Sequence, residues 1–432
     1  GKCGFATRLY KIIALLAIYA LEKRTLFLTP QRLLAEQHHE LTGKMDGDNF
    51  RSRIIHGHTS RKKRAWNDPA DQIIFATPHV VMEDFEKKLF DFKDFQMVVF
   101  DEMYRATGDY PYVPLAKLAS ENQLLAFGLT ASPGSSLGKI ESIRNNLFFK
   151  KIFRVEVETP RKNEDVVLAE PDENLREIEK IFRKLLLELA KEISAMGIDM
   201  DQNDLTHMRI FQFIERELQI KDKYRGAYLA AKYRKLYHAY FITLTEGYKT
   251  LLEYLGRMKR EDGSRAAREI VLDGRVWQLA EIAKNHRHPK VEKFFELLSS
   301  LKNFRKNALV FFSQKTTARA MAELLSDRGW KIELLFGSSD KNIKHQKEVL
   351  RKIAAREIDF VFATSVAEEG LSVPEIDTVI HYSMPPTEIS LLQRSGRTGR
   401  MKIGHVVFLT INHPLDRIFY HVAKAKAKKM RQ

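Results

Sequence analysis

The stretch Met97-Val98-Val99-Phe100-Asp101-Glu102 is a short apolar run that ends in two carboxylates. Three similar runs occur in the first part of the chain, separated by helical patterns, and each ends in hydroxyl groups or proline. They are Leu26-Phe27-Leu28 before Thr29-Pro30, Gln72-Ile73-Ile74-Phe75 before Ala76-Thr77-Pro78, and residues 124–129 before Thr130-Ala131-Ser132-Pro133. Continuous apolar runs of this kind predict a parallel sheet buried on both faces. Their polar ends mark the edge where open α/β sheets bind ligands.

The last part of the chain, from about residue 289, repeats this alternation of apolar runs and helical patterns. The runs are Ala308-Leu309-Val310-Phe311-Phe312, residues 330–336, Asp359-Phe360-Val361-Phe362-Ala363, Thr378-Val379-Ile380-His381-Tyr382 and His405-Val406-Val407-Phe408-Leu409. They predict a second parallel sheet with a ligand-binding edge of its own.

Between the two sheets, residues 172–288 follow a helical pattern instead. Apolar residues recur there at three- and four-residue spacings, which predicts long amphipathic helices. One series is an aromatic stripe through Tyr233, Tyr237, Tyr240, Phe241 and Tyr248, which we interpret as core rather than as a platform for stacking bases. We therefore divide the chain into a first sheet domain at 1–158, a helical insert at 159–288 and a second sheet domain at 289–432.

The composition limits the class of protein. Lys plus Arg number 72 and Asp plus Glu 56 among 432 residues, a net charge of +16. This excess favours a polyanionic partner such as nucleic acid, although a merely basic surface gives the same balance. The single cysteine excludes a disulfide scaffold and a cysteine-based zinc site. No apolar run reaches the ~18 residues of a membrane span, and we find no signal peptide. We expect a cytoplasmic protein with no membrane partner.

The dipeptide Asp101-Glu102 suggests metal and water chemistry. Two carboxylates at the carboxyl end of a strand can serve Mg²⁺ and a water molecule. Asp101 would hold the metal, directly or through water, and Glu102 would orient or deprotonate the attacking water. Taken alone, the dipeptide is also compatible with an ordinary surface pair.

The run Gln393-Arg394-Ser395-Gly396-Arg397-Thr398-Gly399-Arg400 is more specific. Arg397 and Arg400 are three residues apart, so on a helix they share a face. Two guanidinium groups on one face suit the oxygens of a triphosphate; the alternative is a basic helix tip. Upstream, the hydroxyls and backbone N–H groups of Ala363-Thr364-Ser365-Val366-Ala367-Glu368-Glu369-Gly370 form a predicted anion site at a strand end.

In this order, the motifs resemble those of superfamily 2 helicases. The set comprises Leu28-Thr29-Pro30, Ala76-Thr77-Pro78, Asp101-Glu102, Leu129-Thr130-Ala131-Ser132-Pro133 and the two runs at 363–370 and 393–400. The sequences of these motifs are most similar to those of the archaeal Hef helicase and the Fanconi anaemia group M translocase, and less similar to those of Dicer-type helicases. The helical insert and His288-Pro289-Lys290 resemble the same subgroup. The resemblance implies an α/β fold with two RecA-like parallel-sheet domains and an all-helical insert domain between them.

The resemblance also implies roles for matching positions, with ATP and Mg²⁺ as cofactors. Asp101 matches the magnesium ligand and Glu102 the water-activating carboxylate. Gln393, Arg397 and Arg400 match the γ-phosphate sensors and arginine fingers, while Thr130 and Ser132 match the motif that couples ATP state to domain closure. The resemblance also implies a surface that contacts the nucleic-acid backbone, which we name the nucleic-acid track. Its residues are Pro30, Arg32, Thr77, Pro78, Ser313, Lys315, Thr364 and Ser365. The resemblance implies that Gly370 lies close to the bound nucleotide.

The sequence departs from the family around the nucleotide. The family pattern G-x-x-x-x-G-K-[ST] ends in a lysine that reaches the phosphates. One register places Thr7 on the hydroxyl position and Ala6 on the lysine, and the other places Lys2 on the lysine and Cys3 on the hydroxyl. In both registers the preceding strand and the adenine-reading segment fall outside these 432 residues, so the resemblance implies that the first sheet domain, at 1–158, is N-terminally incomplete. Three further departures are Tyr104 where the family has histidine, Ser372 where it has a carboxylate, and Ser395 where arginine is common.

Three functions remain open at this point. The first is a DNA-dependent ATPase that acts as a helicase or translocase on branched or forked DNA, in repair or replication restart and alongside proteins of those processes. The second is an ATP-inactive DNA-binding module that positions a partner. The third is an RNA-acting relative of the Dicer type, since nothing in the sequence separates ribose from deoxyribose. No nuclease activity is expected, because only a short tail follows the second sheet.

Overall fold

The structure is a computed structural model that describes most of the chain. The described residues are 23–46, 51–130, 136–153, 162–196, 223–303, 307–336, 340–364, 376–384 and 404–431. Two parallel sheets and a group of helices are present, as the sequence predicts.

Among the described residues, the first sheet has five parallel strands in the order β2-β3-β1-β4-β5. The strands are β1 (Thr25–Leu28), β2 (Ser52–Ile55), β3 (Ile73–Ala76), β4 (Met97–Asp101) and β5 (Leu125–Leu129). Every residue of β1, β3 and β4 is buried, because helices cover both faces of the central strands. These helices are α1 (Arg32–Asp46), α2 (Pro78–Glu86), α3 (Tyr112–Glu121) and α4 (Leu137–Asn146).

Strand β5 differs from the prediction of a strand buried on both faces. Leu125 and Phe127 are each 42% exposed, because β5 is the last strand of the sheet among the described residues and pairs only with β4. Gly128 in this strand lies close to the loop after β4. A Cβ atom at Gly128 would come within 2.4 Å of both the Met103 sulfur and the Phe149 ring, so only glycine fits there without a shift.

The described part of the insert has five helices. They are α5 (Glu173–Ala195), α6 (Lys223–Thr245), α7 (Tyr248–Glu261), α8 (Arg265–Leu272) and α9 (Gly274–Asn285). Helix α5 buries one apolar stripe, and the aromatic stripe of α6 and α7 faces the same core. Tyr233, Tyr237, Tyr240 and Tyr248 are all at most 5% exposed. The interpretation of the aromatic stripe as core is therefore confirmed, because these rings fill the space between the helices.

In the part of the chain that the structure describes, the second sheet has six parallel strands in the order β6-β11-β10-β7-β9-β8. They are β6 (Lys162–Ala169), β7 (Ala308–Phe311), β8 (Ile332–Leu335), β9 (Phe360–Ala363), β10 (Thr378–His381) and β11 (Gly404–Ile411). The helices around this sheet are α10 (Pro289–Asn303), α11 (Lys315–Ser326), α12 (Asp340–Ala354) and α13 (Pro414–Arg431).

Strand β6 corrects the start of the all-helical insert. The predicted insert at 159–288 includes these residues, but Lys162–Ala169 pair with Gly404–Ile411 along their whole length. The strand begins with the polar residues Lys162, Asn163, Glu164 and Asp165. It lies at the sheet edge, where polar side chains reach solvent, so it lacks the continuous apolar run that predicts the central strands.

Buried charges join the insert to the second sheet domain. The Lys290 ammonium donates a hydrogen bond to the Thr245 carbonyl at 2.8 Å and lies 3.6 Å from the Asp416 carboxylate. The side chains of Lys290 and Asp416 are both 0% exposed. Glu246, at the end of α6, is also buried and accepts a hydrogen bond from the Thr317 hydroxyl at 3.1 Å. The turn between α6 and α7 is therefore fixed against α10, α11 and α13.

The two sheet domains also touch directly through helix α1. Leu33 is buried in an apolar cluster with Leu309 and Val349 of the second domain. Beside it, the Glu36 carboxylate pairs with Lys347 at 2.7 Å. Within the described ranges, no helix combines the length and the apolar character needed to cross a bilayer.

Candidate functional site

The predicted site residues of the first domain lie at one edge of its sheet. Pro30, Thr77 and Thr130 follow the carboxyl ends of β1, β3 and β5, and Asp101 is the last residue of β4. Because these strands are parallel neighbours in register, their carboxyl ends meet at the same edge. Thr77 is extended and precedes α2, whose first residue is Pro78. The start of α2 therefore lies at this edge of the sheet.

The Asp101 carboxylate is held by a histidine that the sequence analysis did not single out. Nε2 of His38 lies 3.0 Å from Oδ2 of Asp101, and both side chains are at most 4% exposed. The His38 ring is also packed against Phe27 and Phe75, at centroid distances of 5.1 and 5.9 Å. These contacts fix the rotamer of Asp101 at the end of β4. Its spacing in the sequence could have indicated that His38 is buried, because it follows the buried Leu34 by one helical turn on α1.

A buried tyrosine ties the same strand end to its neighbour. The Tyr112 hydroxyl lies 2.6 Å from the Asp101 carbonyl oxygen and 3.1 Å from that of Leu28, so it bridges the ends of β4 and β1. Burial, reinforced by the nearby Tyr110 and acidic groups, raises the pKa of the Tyr112 hydroxyl well above its ordinary value. The group therefore stays protonated and remains a donor.

Glu102 has a left-handed backbone conformation, with φ 51° and ψ 49°. This region costs a residue with a Cβ atom roughly 1–2 kcal/mol, and such residues cluster at functional sites. The conformation turns the chain sharply out of β4 into the 3-10 turn Met103–Arg105. Within that turn the Arg105 guanidinium lies 5.8 Å from the centre of the Tyr104 ring.

The residues present fit magnesium by the type of atom that they offer. Carboxylate oxygens are the ligands that Mg²⁺ prefers, and the ion takes one or two of them together with waters and substrate phosphates. Asp101 and Glu102 supply such oxygens at the sheet edge. No three His, Cys, Asp or Glu side chains of the described residues gather closely enough to form a metal site by themselves. Waters and substrate phosphates would supply the other ligands.

The second domain has its own polar edge. Ser313 and Lys315 follow β7 and are exposed, and Thr364 follows the neighbouring strand β9. The backbone N–H of Ser313 donates to the Ser383 hydroxyl at 3.0 Å. Ser383 in turn hydrogen-bonds the Glu246 carboxylate. Thr364 is only 6% exposed, so little of its surface is open to a ligand.

Arg32 lies where the two sheet domains touch. Its Nε is 2.9 Å from Oε1 of Glu36, whose other oxygen contacts Lys347 of the second domain at 2.7 Å. Burial of Glu36 opposes ionisation, but the hydrogen bonds from Lys347 and Arg32 outweigh it and hold the pKa of this carboxyl below its ordinary value. The carboxylate therefore links cations from the two domains.

The remaining predicted site residues lie outside the described residues. They are Lys2, Thr7, Ser132, Ser365, Gly370, Gln393, Arg397 and Arg400. Ser372 and Ser395, two of the departures from the family pattern, lie there as well. The roles assigned to all these residues stay predictions.

Two family profiles match the chain, one on each sheet domain. The profile described as "Type III restriction enzyme, res subunit" matches residues 6–135. The profile described as "Helicase conserved C-terminal domain" matches residues 289–402.

Solved and curated relatives agree with these profiles. The Hef helicase domain of Pyrococcus furiosus is 28% identical, with a TM-score of 0.62 over 96% of this chain and 92% of that one. A Methanocaldococcus jannaschii protein named as an ATP-dependent RNA helicase is 28% identical and matches 100% of this chain and 58% of its own length. The ATP-dependent DNA helicase mph1 of Neurospora crassa is 25% identical over 89% of this chain and 37% of its own length.

Two RecA-like sheet domains, with a helicase C-terminal profile on the second, define a superfamily 2 helicase. The helical insert between the sheets and the likeness to Hef narrow this class further. The chain belongs to the Hef and Fanconi anaemia group M type of superfamily 2 helicases, and the resemblance stated from its motifs is confirmed. It spans less than two thirds of the length of the curated relatives named above.

Proposed function

We propose that the chain is a DNA-dependent ATPase that acts as a helicase or translocase on branched or forked DNA, in repair or replication restart. The observation that supports it most is the edge of the first sheet. Asp101, whose side chain is held by His38, and Glu102, which has a strained backbone, lie at the same edge of the sheet as Thr77, a predicted residue of the nucleic-acid track. We propose the same three domains as above, at 1–158, 159–288 and 289–432, except that β6 belongs to the second sheet.

ATP and Mg²⁺ are the proposed cofactors, and the bound metal would neutralise charge that develops on the transferred phosphate. Asp101 would hold the metal, and His38 would keep its carboxylate in one orientation. Glu102 would orient the attacking water and accept its proton. Gln393, Arg397 and Arg400 are the proposed contacts with the γ-phosphate. Lys2 or Thr7, together with Gly370, would contact the rest of the nucleotide. Thr130 and Ser132 would couple the state of the nucleotide to domain closure.

The nucleic-acid track would follow the polar edges of both sheets. Its proposed residues are Pro30, Arg32, Thr77, Pro78, Ser313, Lys315, Thr364 and Ser365. Hydroxyls, backbone N–H groups and lysines bind phosphates without reading bases. Binding should therefore tolerate any sequence and weaken with salt.

Two alternatives each have an observation in their favour. Tyr104 occupies the position that couples ATP to nucleic acid in the family, which favours an ATP-inactive module that binds DNA and positions a partner. The Methanocaldococcus relative is named as an RNA helicase, which favours RNA as the substrate.

The test measures ATP hydrolysis with forked DNA, with forked RNA and with no nucleic acid. We expect DNA to stimulate turnover and Glu102→Gln to reduce the stimulated rate by about 10²–10⁴, the contribution of a positioned general base. The matched control is Glu281→Gln, which makes the same change at a 66% exposed position in the insert. Salt-sensitive DNA binding without turnover would support the ATP-inactive module, and stronger stimulation by RNA would support the RNA-acting alternative.

A further inference from the structure

The loop after β2 presents three adjacent cations, which we name the cationic turn (Arg61–Lys63). It is a 3-10 turn in which no residue is buried. The strand before it ends at Ile55, whose carbonyl accepts a hydrogen bond from the Thr77 N–H at 3.3 Å. The loop that leads to the cationic turn therefore leaves the sheet beside a residue of the proposed nucleic-acid track.

Two lysines of the turn have charges that the described residues do not compensate. Arg53, on β2, and Arg51, immediately before this strand, both pair with Asp68, at 2.8 and 2.9 Å respectively. Lys62 and Lys63 form no ion pair with any residue in the described ranges. The paired arginines are accounted for by the fold, whereas the two exposed lysines are not.

The base of the cationic turn is fixed by buried hydrogen bonds. Arg64 donates to the Thr59 carbonyl at 2.8 Å and to one oxygen of Asp84 at 2.7 Å. The Trp66 indole donates to the other oxygen of Asp84 at 2.8 Å. The side chains of Asp84 and Arg64 are only 0% and 7% exposed. A charge-assisted pair in this setting holds the backbone of the turn in place, which lowers the ordering cost when the turn binds a ligand.

We propose that Lys62 and Lys63 bind the sugar-phosphate backbone of the nucleic acid at the edge of the first sheet. This inference rests on the proposed function and extends its track past Thr77 towards β2. Lysine ammonium groups bind phosphates as point charges and read no sequence. Arg61, which pairs with Glu83 at 3.2 Å on the surface, borders this phosphate site.

The test is the salt dependence of binding to a fluorescein-labelled forked DNA. Each phosphate contact on a duplex contributes about 0.9 to the slope of log affinity against log salt, and about 0.7 on a single strand. The slope is negative, and the double variant Lys62→Gln/Lys63→Gln should reduce its magnitude by about 1.4–1.8 between about 50 and 200 mM salt. The matched control is Lys117→Gln/Lys284→Gln, which removes two charges from positions 67% and 68% exposed.

The outcomes separate this inference from the function on which it rests. The phosphate site is supported if the slope of Lys62→Gln/Lys63→Gln is smaller in magnitude than that of the parent, while its thermal midpoint and the slope of the control are unchanged. The same slope in the variant as in the parent overturns the inference and leaves the proposed function standing. Equal losses in both double variants also overturn it, because net charge then accounts for the effect. A parent protein that binds no nucleic acid refutes the proposed function and this inference together.

Discussion

Replacing Lys290 by methionine tests the buried charges between the insert and the second sheet domain. The Lys290 ammonium donates to the Thr245 carbonyl at 2.8 Å and lies 3.6 Å from the Asp416 carboxylate, and neither ion-pair side chain is exposed. Methionine keeps the length of the side chain but leaves Asp416 buried without its cation. Removing one partner of a buried ion pair costs about 3–5 kcal/mol. We expect Lys290→Met to lower the free energy of unfolding by about that amount.

The assay is urea unfolding at neutral pH, followed by tryptophan fluorescence. The chain has three tryptophans, and Trp330 reports on the second sheet domain. Lys290→Met/Asp416→Asn should recover more than half of the loss, because the asparagine oxygen can still accept the Ile411 N–H that now bonds Asp416 at 2.8 Å. Lys249→Met is the exposed control, and its pair with Glu323 at 3.1 Å should contribute about 1 kcal/mol or less.

A loss of stability for Lys290→Met no larger than that for Lys249→Met would contradict this prediction. A double variant Lys290→Met/Asp416→Asn as unstable as Lys290→Met alone would contradict it as well. In both cases an uncompensated carboxylate would not be the cause of the instability.

Three further predictions concern the site and the pH response. Gly128→Ala should cost about 1–3 kcal/mol in urea unfolding, because its Cβ would meet Met103 and Phe149; an unchanged midpoint would contradict this. Tyr112→Phe should cost about 1–2 kcal/mol by the same assay, because two buried carbonyls lose their donor; a more stable variant would contradict it. Burial and the nearby Lys290 charge lower the pKa of His288 from 6.5 to about 3. The unfolded state binds the proton more tightly, so stability falls as pH drops below 6.5, by about 1.4 kcal/mol per unit. His288→Asn should lose stability less steeply between pH 6.5 and 4, and equal slopes would contradict this.

The central strands and the main motifs could be predicted because their signals are local. A strand such as β4 is covered on both faces, so its sequence is a continuous apolar run, and its polar end marks the ligand edge. The interpretation of Tyr240 and its neighbours as core rested on helical spacing alone, and it was correct. Each of these signals lies within one element.

The features that the sequence analysis missed depend on contacts between distant parts of the chain. Strand β6 is polar at its start and becomes a strand because β11 offers an edge. The contact of His38 with Asp101 joins residues 63 positions apart. The burial of Lys290 depends on Asp416, which lies on another helix. Lysine is almost never fully buried unless it is paired, so no local pattern could have predicted this one.

The left-handed backbone at Glu102 has a consequence for protein engineering. Glycine would adopt this conformation without the steric cost that glutamate bears. A screen for thermal resistance alone would therefore favour glycine at this position and discard the proposed proton acceptor. Stabilised versions of this protein should be selected for turnover and heat tolerance together, because the two goals compete at this one residue.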